Sequence, residues 1–180
     1  MTVEVSDAMN SQHIAHLTLI RSSLGEAGFD SHLIEADDEL PVSTLVVGLG
    51  ADDLERARSM TISIMPFGDD QFAATQFIQF YAPMPYRAPR GRLGDLGHAM
   101  AVINGAMALG HFAVRGDELF FRYMLSLSSA GTIDPDMLLE LMSMLVFHQE
   151  HFSDYLEGVL DGEISLLVLA DVIAQSQPGG

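Results

Sequence analysis

The chain has 180 residues, of which 48% are hydrophobic and 18% charged, and this composition excludes an intrinsically disordered protein. Its 25 acidic residues against 8 basic ones give a net charge of −17, which disfavours binding to nucleic acid or to an anionic membrane surface. Cysteine is absent, which excludes disulfides, thiolate nucleophiles and zinc–thiolate sites.

We expect one domain over residues 1–180, with a core over about residues 7–160 and an amphipathic C-terminal tail, frayed at its end, over residues 161–180. The first ten residues carry acids where a secretory signal carries positive charge, and no apolar run reaches the ~20 residues that span a membrane. We therefore expect a cytoplasmic protein.

The first half of the chain predicts one helix followed by four strands. Apolar residues at helical spacing indicate a helix from Asp7 to Ala27, with Gly28 as its stop. In the fourth strand aromatic residues point to both faces, so either both faces are covered or Phe77 and Tyr81 meet a partner or ligand. The predicted strands are Ser31 to Ala36, Val42 to Leu49, Arg58 to Met65 and Thr75 to Ala82.

The second half begins with a proline-rich bend from Pro83 to Pro89. A second helix, a hairpin and a third helix follow it, and the dipeptide Asp134-Pro135 supplies the N-cap and first-turn proline of the third helix. In the tail, Ile164, Leu167, Val168 and Val172 suit the apolar face of a short helix. The remaining segments are Leu93 to Leu109 for the second helix, His111 to Val114 and Leu119 to Leu127 for the hairpin, and Asp134 to about Glu157 for the third helix.

The second predicted helix carries two stripes. One consists of large apolar residues spaced three and four apart, which is typical of a face that packs on a sheet or another helix. The other consists of glycine and alanine, although each interior glycine costs ~1 kcal/mol relative to alanine. These small residues either pack closely on the protein's own sheet or meet the same helix of a second subunit. We expect a homodimer interface formed by Gly94, Gly97, Met100, Ala101, Asn104, Gly105 and Ala108.

Three of the eight arginines lie within six residues, at Arg87, Arg90 and Arg92. Guanidinium groups bind carboxylates and phosphates in a forked geometry, so this loop is a candidate site for a partner or a small anion. The alternative, which we favour, is a set of internal ion pairs with the abundant acids.

Other candidate chemistry is weaker. His148, His151 and Asp154 share a helix face, but their spacing matches no zinc motif, and we expect no metal and no cofactor. The segment from Gly48 to Asp53 lacks the third glycine of a phosphate-binding turn, so we interpret it as a simple turn. Because no nucleophile motif accompanies these residues, we expect a protein without catalytic activity.

Several short segments of the second half point to a known family. They are Ile103-Asn104 near a helix end, Gly110-His111-Phe112, the hairpin with Arg122, and Asp134-Pro135 at the start of a long helix. Over about Leu93 to Leu160 this pattern resembles the YbjN family, which shares its fold with the type III secretion chaperones. The resemblance implies an α+β domain with an antiparallel sheet flanked by helices, a homodimer, and no catalytic machinery.

The same resemblance bears on function. The chaperone relatives are small acidic proteins that hold a segment of a partner in extended form, and the YbjN branch is linked to regulation. We therefore expect a homodimeric protein-binding or chaperone-like regulator, whose exposed strand edge or apolar groove accepts a segment of a protein client. The alternatives are a sensor of a small anion or ligand that uses Arg87, Arg90 and Arg92, and an enzyme without a recognised motif.

Overall fold

The computed structural model describes residues 7–66 and 74–176. It has the predicted α+β class, with four helices and one six-stranded antiparallel sheet whose strand order is β1-β2-β3-β4-β6-β5. The strands are β1 (Ser31–Ile34), β2 (Thr44–Ala51), β3 (Ala57–Met65), β4 (Thr75–Arg87), β5 (His111–Arg115) and β6 (Glu118–Ser128). The helices are α1 (Asp7–Glu26), α2 (Leu93–Ala106), α3 (Pro135–Asp161) and α4 (Leu166–Ser176), and a short 3-10 turn (Arg90–Arg92) precedes α2.

The described residues divide into two compact units. The first contains the described residues up to Ala82 together with Tyr123–Met142, and the second contains Pro83–Arg122 together with the described residues from Ser143 onwards. Strands β4 and β6 and helix α3 each contribute residues to both units.

The first unit is built on α1 and the strands β1 to β3, which α1 contacts. Strand register aligns Leu45 with Ile62 and Ile62 with Phe80, and all three side chains are fully buried. Side chains alternate between the two faces of a strand, so these residues share one face of the sheet. The buried residues of α1, spaced three and four apart, are Leu17, Ile20 and Leu24.

The second unit is built around α2, which contacts β5 and α4. Leu96, Ala99 and Ile103 form the buried face of α2. The rings of Phe112 and Phe121 face each other across the β5–β6 hairpin with centroids 5.2 Å apart. The hairpin turns at Gly116, whose φ of +67° is a backbone conformation that glycine adopts without strain.

The predicted N-cap of α3 is confirmed, whereas the helix ends at Asp161 rather than at about Glu157. The carboxylate of Asp134 accepts hydrogen bonds from the backbone N–H groups of Asp136 and Met137, as an N-cap does. At the other end, Gly162 has a φ of +81°, and the N–H groups of Glu163 and Ile164 donate to the carbonyl of Gly158. This arrangement satisfies carbonyls that the last helical turn leaves open.

Two features of the second unit differ from the sequence prediction. The predicted bend at Pro83 is wrong, because Pro83 and Pro85 lie within β4. The pairing of β4 with β3 ends at Tyr81. Beyond that residue β3 takes no backbone hydrogen bond from β4 in the described part of the chain, so a proline without an N–H group loses no bond to β3. Helix α2 ends at Ala106 rather than Leu109, because Met107 has an extended backbone.

The tail forms α4, but its predicted apolar face is wrong in part. Leu169 and Ile173 are buried, whereas Leu167 and Val168 are exposed. Four apolar residues follow one another from Leu166 to Leu169, so spacing alone did not identify the face that packs. Among residues 7–66 and 74–176, none of the helices combines the length and the apolar composition needed to cross a membrane.

Candidate functional site

The outer side of α2 carries most of the predicted interface. Gly94, Gly97, Ala101 and Gly105 are all exposed, whereas Leu96 and Ile103 on the other side of the helix are buried. The four exposed residues follow one another at intervals of three and four, so they form one face of the helix. We call Gly94, Gly97, Ala101 and Gly105 the small-residue face of α2.

The glycines of this face are not explained by packing within the chain. A Cβ atom built on Gly94, Gly97 or Gly105 meets no atom of its surroundings within 4 Å among the described residues. The interpretation that the small residues pack closely on the protein's own sheet is therefore wrong for these three positions. Within the described residues, no packing contact therefore offsets the backbone cost of these three glycines in α2.

The other predicted interface residues behave differently. The side chain of Asn104 donates to the Phe112 carbonyl at 2.9 Å and accepts from the Phe112 N–H at 2.8 Å. This amide therefore occupies part of the free edge of β5, where a peptide could otherwise add as a strand. Met100 is half-buried, and Ala108 is exposed but lies beyond the end of α2.

The three arginines of the predicted anion site separate into one structural residue and two exposed ones. The Arg92 Nε donates to the Leu160 carbonyl at 2.9 Å, and its guanidinium pairs with Asp95 at 3.1 Å. Leu160 lies at the C-terminal end of α3, where a cation is favoured by the helix dipole. Arg92 is therefore an internal contact of the kind that we favoured from the sequence.

Arg87 and Arg90 line a shallow cavity of about 640 Å³ beside the β5–β6 turn. Arg87 approaches Asp117 at 3.9 Å, and both side chains are about two-thirds exposed, so this ion pair is weak. Arg90 makes no ion pair within the described part of the chain. The arrangement leaves two guanidinium groups, with one carboxylate beside them, as the remaining candidate anion site.

Phe77 and Tyr81 lie on β4, a strand with neighbours on both sides and not at an edge of the sheet. They point to the face opposite Ile78 and Phe80, which are buried against the α1 side. Both are half-buried, and the register pairs Phe77 with Met65 and Tyr81 with Thr61. Their strand therefore presents one covered face and one partly open face.

Sequence reasoning missed an exposed apolar cluster on α3. Phe147 is 57% exposed and its ring stacks on His151, with centroids 5.4 Å apart and an angle of 8° between the planes. Met144 is also exposed, and these three residues are spaced three and four apart on one face. The sequence carries a signal for this cluster, because Met144, Phe147 and His151 lie off the helix face that buries Leu145 and Phe152.

The three residues of the candidate metal site on α3 differ in burial. His148 is buried, while His151 and Asp154 are exposed. Burial lowers the pKa of His148, a hydrogen bond with the Leu109 backbone raises it, and the nearby His151 lowers it. Within residues 7–66 and 74–176, no three His, Cys, Asp or Glu side chains come together as metal ligands.

The predicted turn from Gly48 to Asp53 is wrong in part, because Gly48 to Ala51 belong to β2 and the turn begins only at Asp52. The Asp52 carboxylate accepts hydrogen bonds from the backbone N–H groups of Leu54 and Arg56, and it pairs with the Arg56 guanidinium at 2.6 Å. A carboxylate occupied in this way repels a phosphate. This turn therefore has a structural role.

The sequence matches no protein-family model, and it matches no curated protein.

Proposed function

We propose that this chain is a non-catalytic protein-binding or chaperone-like regulator that acts as a homodimer in the cytoplasm. The observation that carries the proposal is the small-residue face of α2, which is exposed and has open space above Gly94, Gly97 and Gly105. A helix that keeps glycines at such positions gains from them only when another backbone comes close.

A second copy of the chain is the partner that fits this face most simply. A two-fold contact uses one patch twice, so small residues on α2 of both subunits let the two helices approach closely. Helix α4, which packs on α2, adds apolar area, because Leu167 is 80% exposed and Val168 is 53% exposed. Large apolar side chains exposed in water favour burial in an interface.

The proposed client binds elsewhere. The exposed Met144 and Phe147 of α3 offer an apolar surface of the kind that accepts a client segment. The net charge of −17 steers basic segments towards the protein and repels nucleic acid and anionic membranes. We therefore infer a client segment that combines apolar and basic residues.

The resemblance to the YbjN family and its chaperone-like fold supports the same proposal. Two of the segments that carry this resemblance lie at helix ends, since Asn104 lies near the end of α2 and Asp134 caps α3. The resemblance implies a dimer without catalytic machinery. Membership of the family and the chaperone-like fold are both part of the proposal.

The second candidate function is an anion sensor, and one observation favours it. Arg87 and Arg90 are both exposed and line the same cavity of about 640 Å³. Two guanidinium groups at one cavity can hold a carboxylate or phosphate from two sides. Asp117 at the same cavity weakens this candidate, because its carboxylate competes for Arg87.

Purification from the native host distinguishes the two candidates. The regulator proposal expects a protein client that remains in stoichiometric amount after gel filtration and is lost when Phe147 is replaced, as in Phe147→Ser. The exposed substitution Leu54→Ser serves as the matched control and should retain the client. A retained small anion that is lost in the double variant Arg87→Gln/Arg90→Gln, with no protein client, would replace the regulator proposal by the sensor.

A further inference from the structure

A cavity of about 320 Å³ opens beside α1 within the first unit. Its size lies at the lower end of the range for small-molecule sites, which is roughly 300–1,000 Å³. Apolar side chains from α1, β4, β6, the loop before α3 and the first residue of α3 form most of its wall, and they are Leu19, Ile20, Ile78, Leu127, Ile133 and Pro135. The polar residues of the wall are His16, Ser22, Ser23, Glu26 and Thr132.

The tautomer of His16 follows from its hydrogen bonds. The Gln76 Nε2 atom donates to the carbonyls of Ser128 at 3.1 Å and Gly131 at 2.6 Å. Carbonyl oxygens only accept, so the amide nitrogen of Gln76 faces them and its Oε1 faces His16. His16 Nδ1 lies 3.0 Å from that oxygen and must therefore donate to it. In neutral His16 this leaves Nε2 as a bare acceptor, and Nε2 makes no hydrogen bond to the described residues.

Two further polar groups of the wall also accept. The Ser23 hydroxyl donates its hydrogen to the Leu19 carbonyl at 3.3 Å, which leaves its lone pairs available. Glu26 is an exposed carboxylate and accepts only. The hydroxyls of Ser22 and Thr132 can either donate or accept, so they favour neither kind of ligand. None of the described residues that line the wall is an arginine or a lysine.

An apolar cavity with acceptors at its edge selects its ligand by chemistry. A carboxylate or phosphate ligand is held best by cations or several donors, whereas this wall offers it only the hydroxyls of Ser22 and Thr132, and the net charge of −17 repels it. An ammonium group carries three donors and a positive charge, which suit Glu26 and the other acceptors. We propose that this cavity binds a small primary alkylamine, with its chain against the apolar wall and its ammonium group at Glu26.

This site is independent of the proposed function. It uses no residue of the small-residue face of α2, of the exposed cluster on α3 or of the arginine loop. It would make the protein responsive to a small cationic metabolite, whether or not the chain forms a dimer.

Three probes of equal chain length test the proposal, namely n-octylamine, n-octanoate and n-octanol. Each is titrated at pH 7.5 into the full chain carrying labelled methyl groups, while the methyl spectra of Leu19, Ile78, Leu127 and Ile133 are followed. Octylamine should give saturable shifts confined to these methyl groups, with an affinity at least about tenfold higher than that of octanoate. Equal binding of octanoate, or no saturable shift with octylamine up to several millimolar, would overturn the proposal.

Two variants separate the cavity from the general acidity of the surface. Glu26→Gln should lower octylamine affinity by roughly two- to fivefold, which is the range for an exposed ion pair, and should leave octanol affinity unchanged. Glu39→Gln removes an exposed acid outside the wall and should change neither. If both variants weaken octylamine equally, the amine binds the acidic surface generally and the proposal is wrong.

Discussion

Gln149 is fully buried in α3, and neither polar atom of its side-chain amide has a hydrogen-bond partner among the described residues. An unsatisfied buried amide keeps the cost of its lost hydration, whereas methionine has similar length and is apolar. Gln149→Met should therefore raise the free energy of unfolding by about 1–3 kcal/mol, measured by urea denaturation. The same change at the exposed Gln175 is the control and should have little effect. A destabilised Gln149→Met protein would mean that the amide is satisfied after all.

His148 connects stability to pH. One ring nitrogen is bonded to the Leu109 backbone and Nδ1 is buried without a partner among the described residues, so a second proton on the ring finds no acceptor. Because the pKa of His148 in the folded chain is lowered from 6.5, the unfolded chain binds more protons than the folded chain as the pH falls. The contribution of His148 to stability is complete above the pKa of this residue in the unfolded chain. It is lost as the pH falls from that value towards the lower pKa of His148 in the folded chain. Burial lowers the pKa of His13 and of His111 in the same direction.

We therefore expect the free energy of unfolding to be lower at pH 5.5 than at pH 7.5, with a smaller difference in His148→Gln. Urea denaturation at both pH values measures this. The Gln149→Met protein keeps all its titrating groups and should show the pH difference of the unmodified chain. An unchanged pH difference in His148→Gln would show that this ring does not contribute.

At the scale of elements, features set by residues close in sequence were predicted well, whereas features set by contacts between distant residues were not. Asp134 as an N-cap and the β5–β6 hairpin depend on neighbouring residues in the chain, and both are confirmed. The extension of β4 through Pro83 depends on where pairing with β3 ends. The partner of Arg92 lies 68 residues away at the end of α3, which no local pattern reveals. The open surroundings of the α2 glycines depend equally on what the other elements cover.

Arg92 joins the start of α2 to the end of α3. Arg92→Gln removes a cation from the carbonyls of a helix C-terminus, so we expect a loss of about 1–2 kcal/mol in the free energy of unfolding. Arg87→Gln and Arg90→Gln are matched controls from the same loop, and both should change stability little because their side chains are exposed. Equal losses in all three variants would mean that the arginines act as one cluster.

The small-residue face of α2 predicts opposite effects of one methyl group on folding and on assembly. Gly97→Ala adds a Cβ that meets nothing within 4 Å among the described residues, so the isolated chain should gain about 0.5–1 kcal/mol of stability. The same methyl group should weaken a close helix contact between subunits. Denaturation at low protein concentration and sedimentation equilibrium measure the two effects separately. A more stable chain with unchanged association would place the dimer contact away from Gly97.

At the scale of the whole molecule, the class of the fold was predictable because alternation and helical spacing recur along the chain. The six-stranded order was not, since strand neighbours depend on which faces bury together. For the candidate interface, the sequence identified the residues but left two interpretations of them. Exposure of Gly94, Gly97 and Gly105 removes the interpretation of close packing within the chain.

Assembly of two chains is the prediction on which the proposed function depends. Light scattering at ~100 µM should find a dimer, because this concentration populates even a complex with a dissociation constant near 1 µM. Ala101 is exposed in the single chain, so Ala101→Phe should leave the fold intact. In the dimer the added ring overpacks a contact, and a penalty of about 1–3 kcal/mol raises the dissociation constant roughly 5- to 150-fold.

The matched control for Ala101→Phe is Ala15→Phe, which adds the same ring at an exposed alanine of α1. Circular dichroism should be unchanged in both variants, and only Ala101→Phe should shift the chain towards monomer. A monomeric unmodified chain at ~100 µM would contradict the homodimer directly. If both variants dissociate the dimer equally, the ring acts through general surface effects. A stable dimer in Ala101→Phe would instead exclude α2 from the interface and leave the exposed Phe147 surface of α3 as the region to vary next.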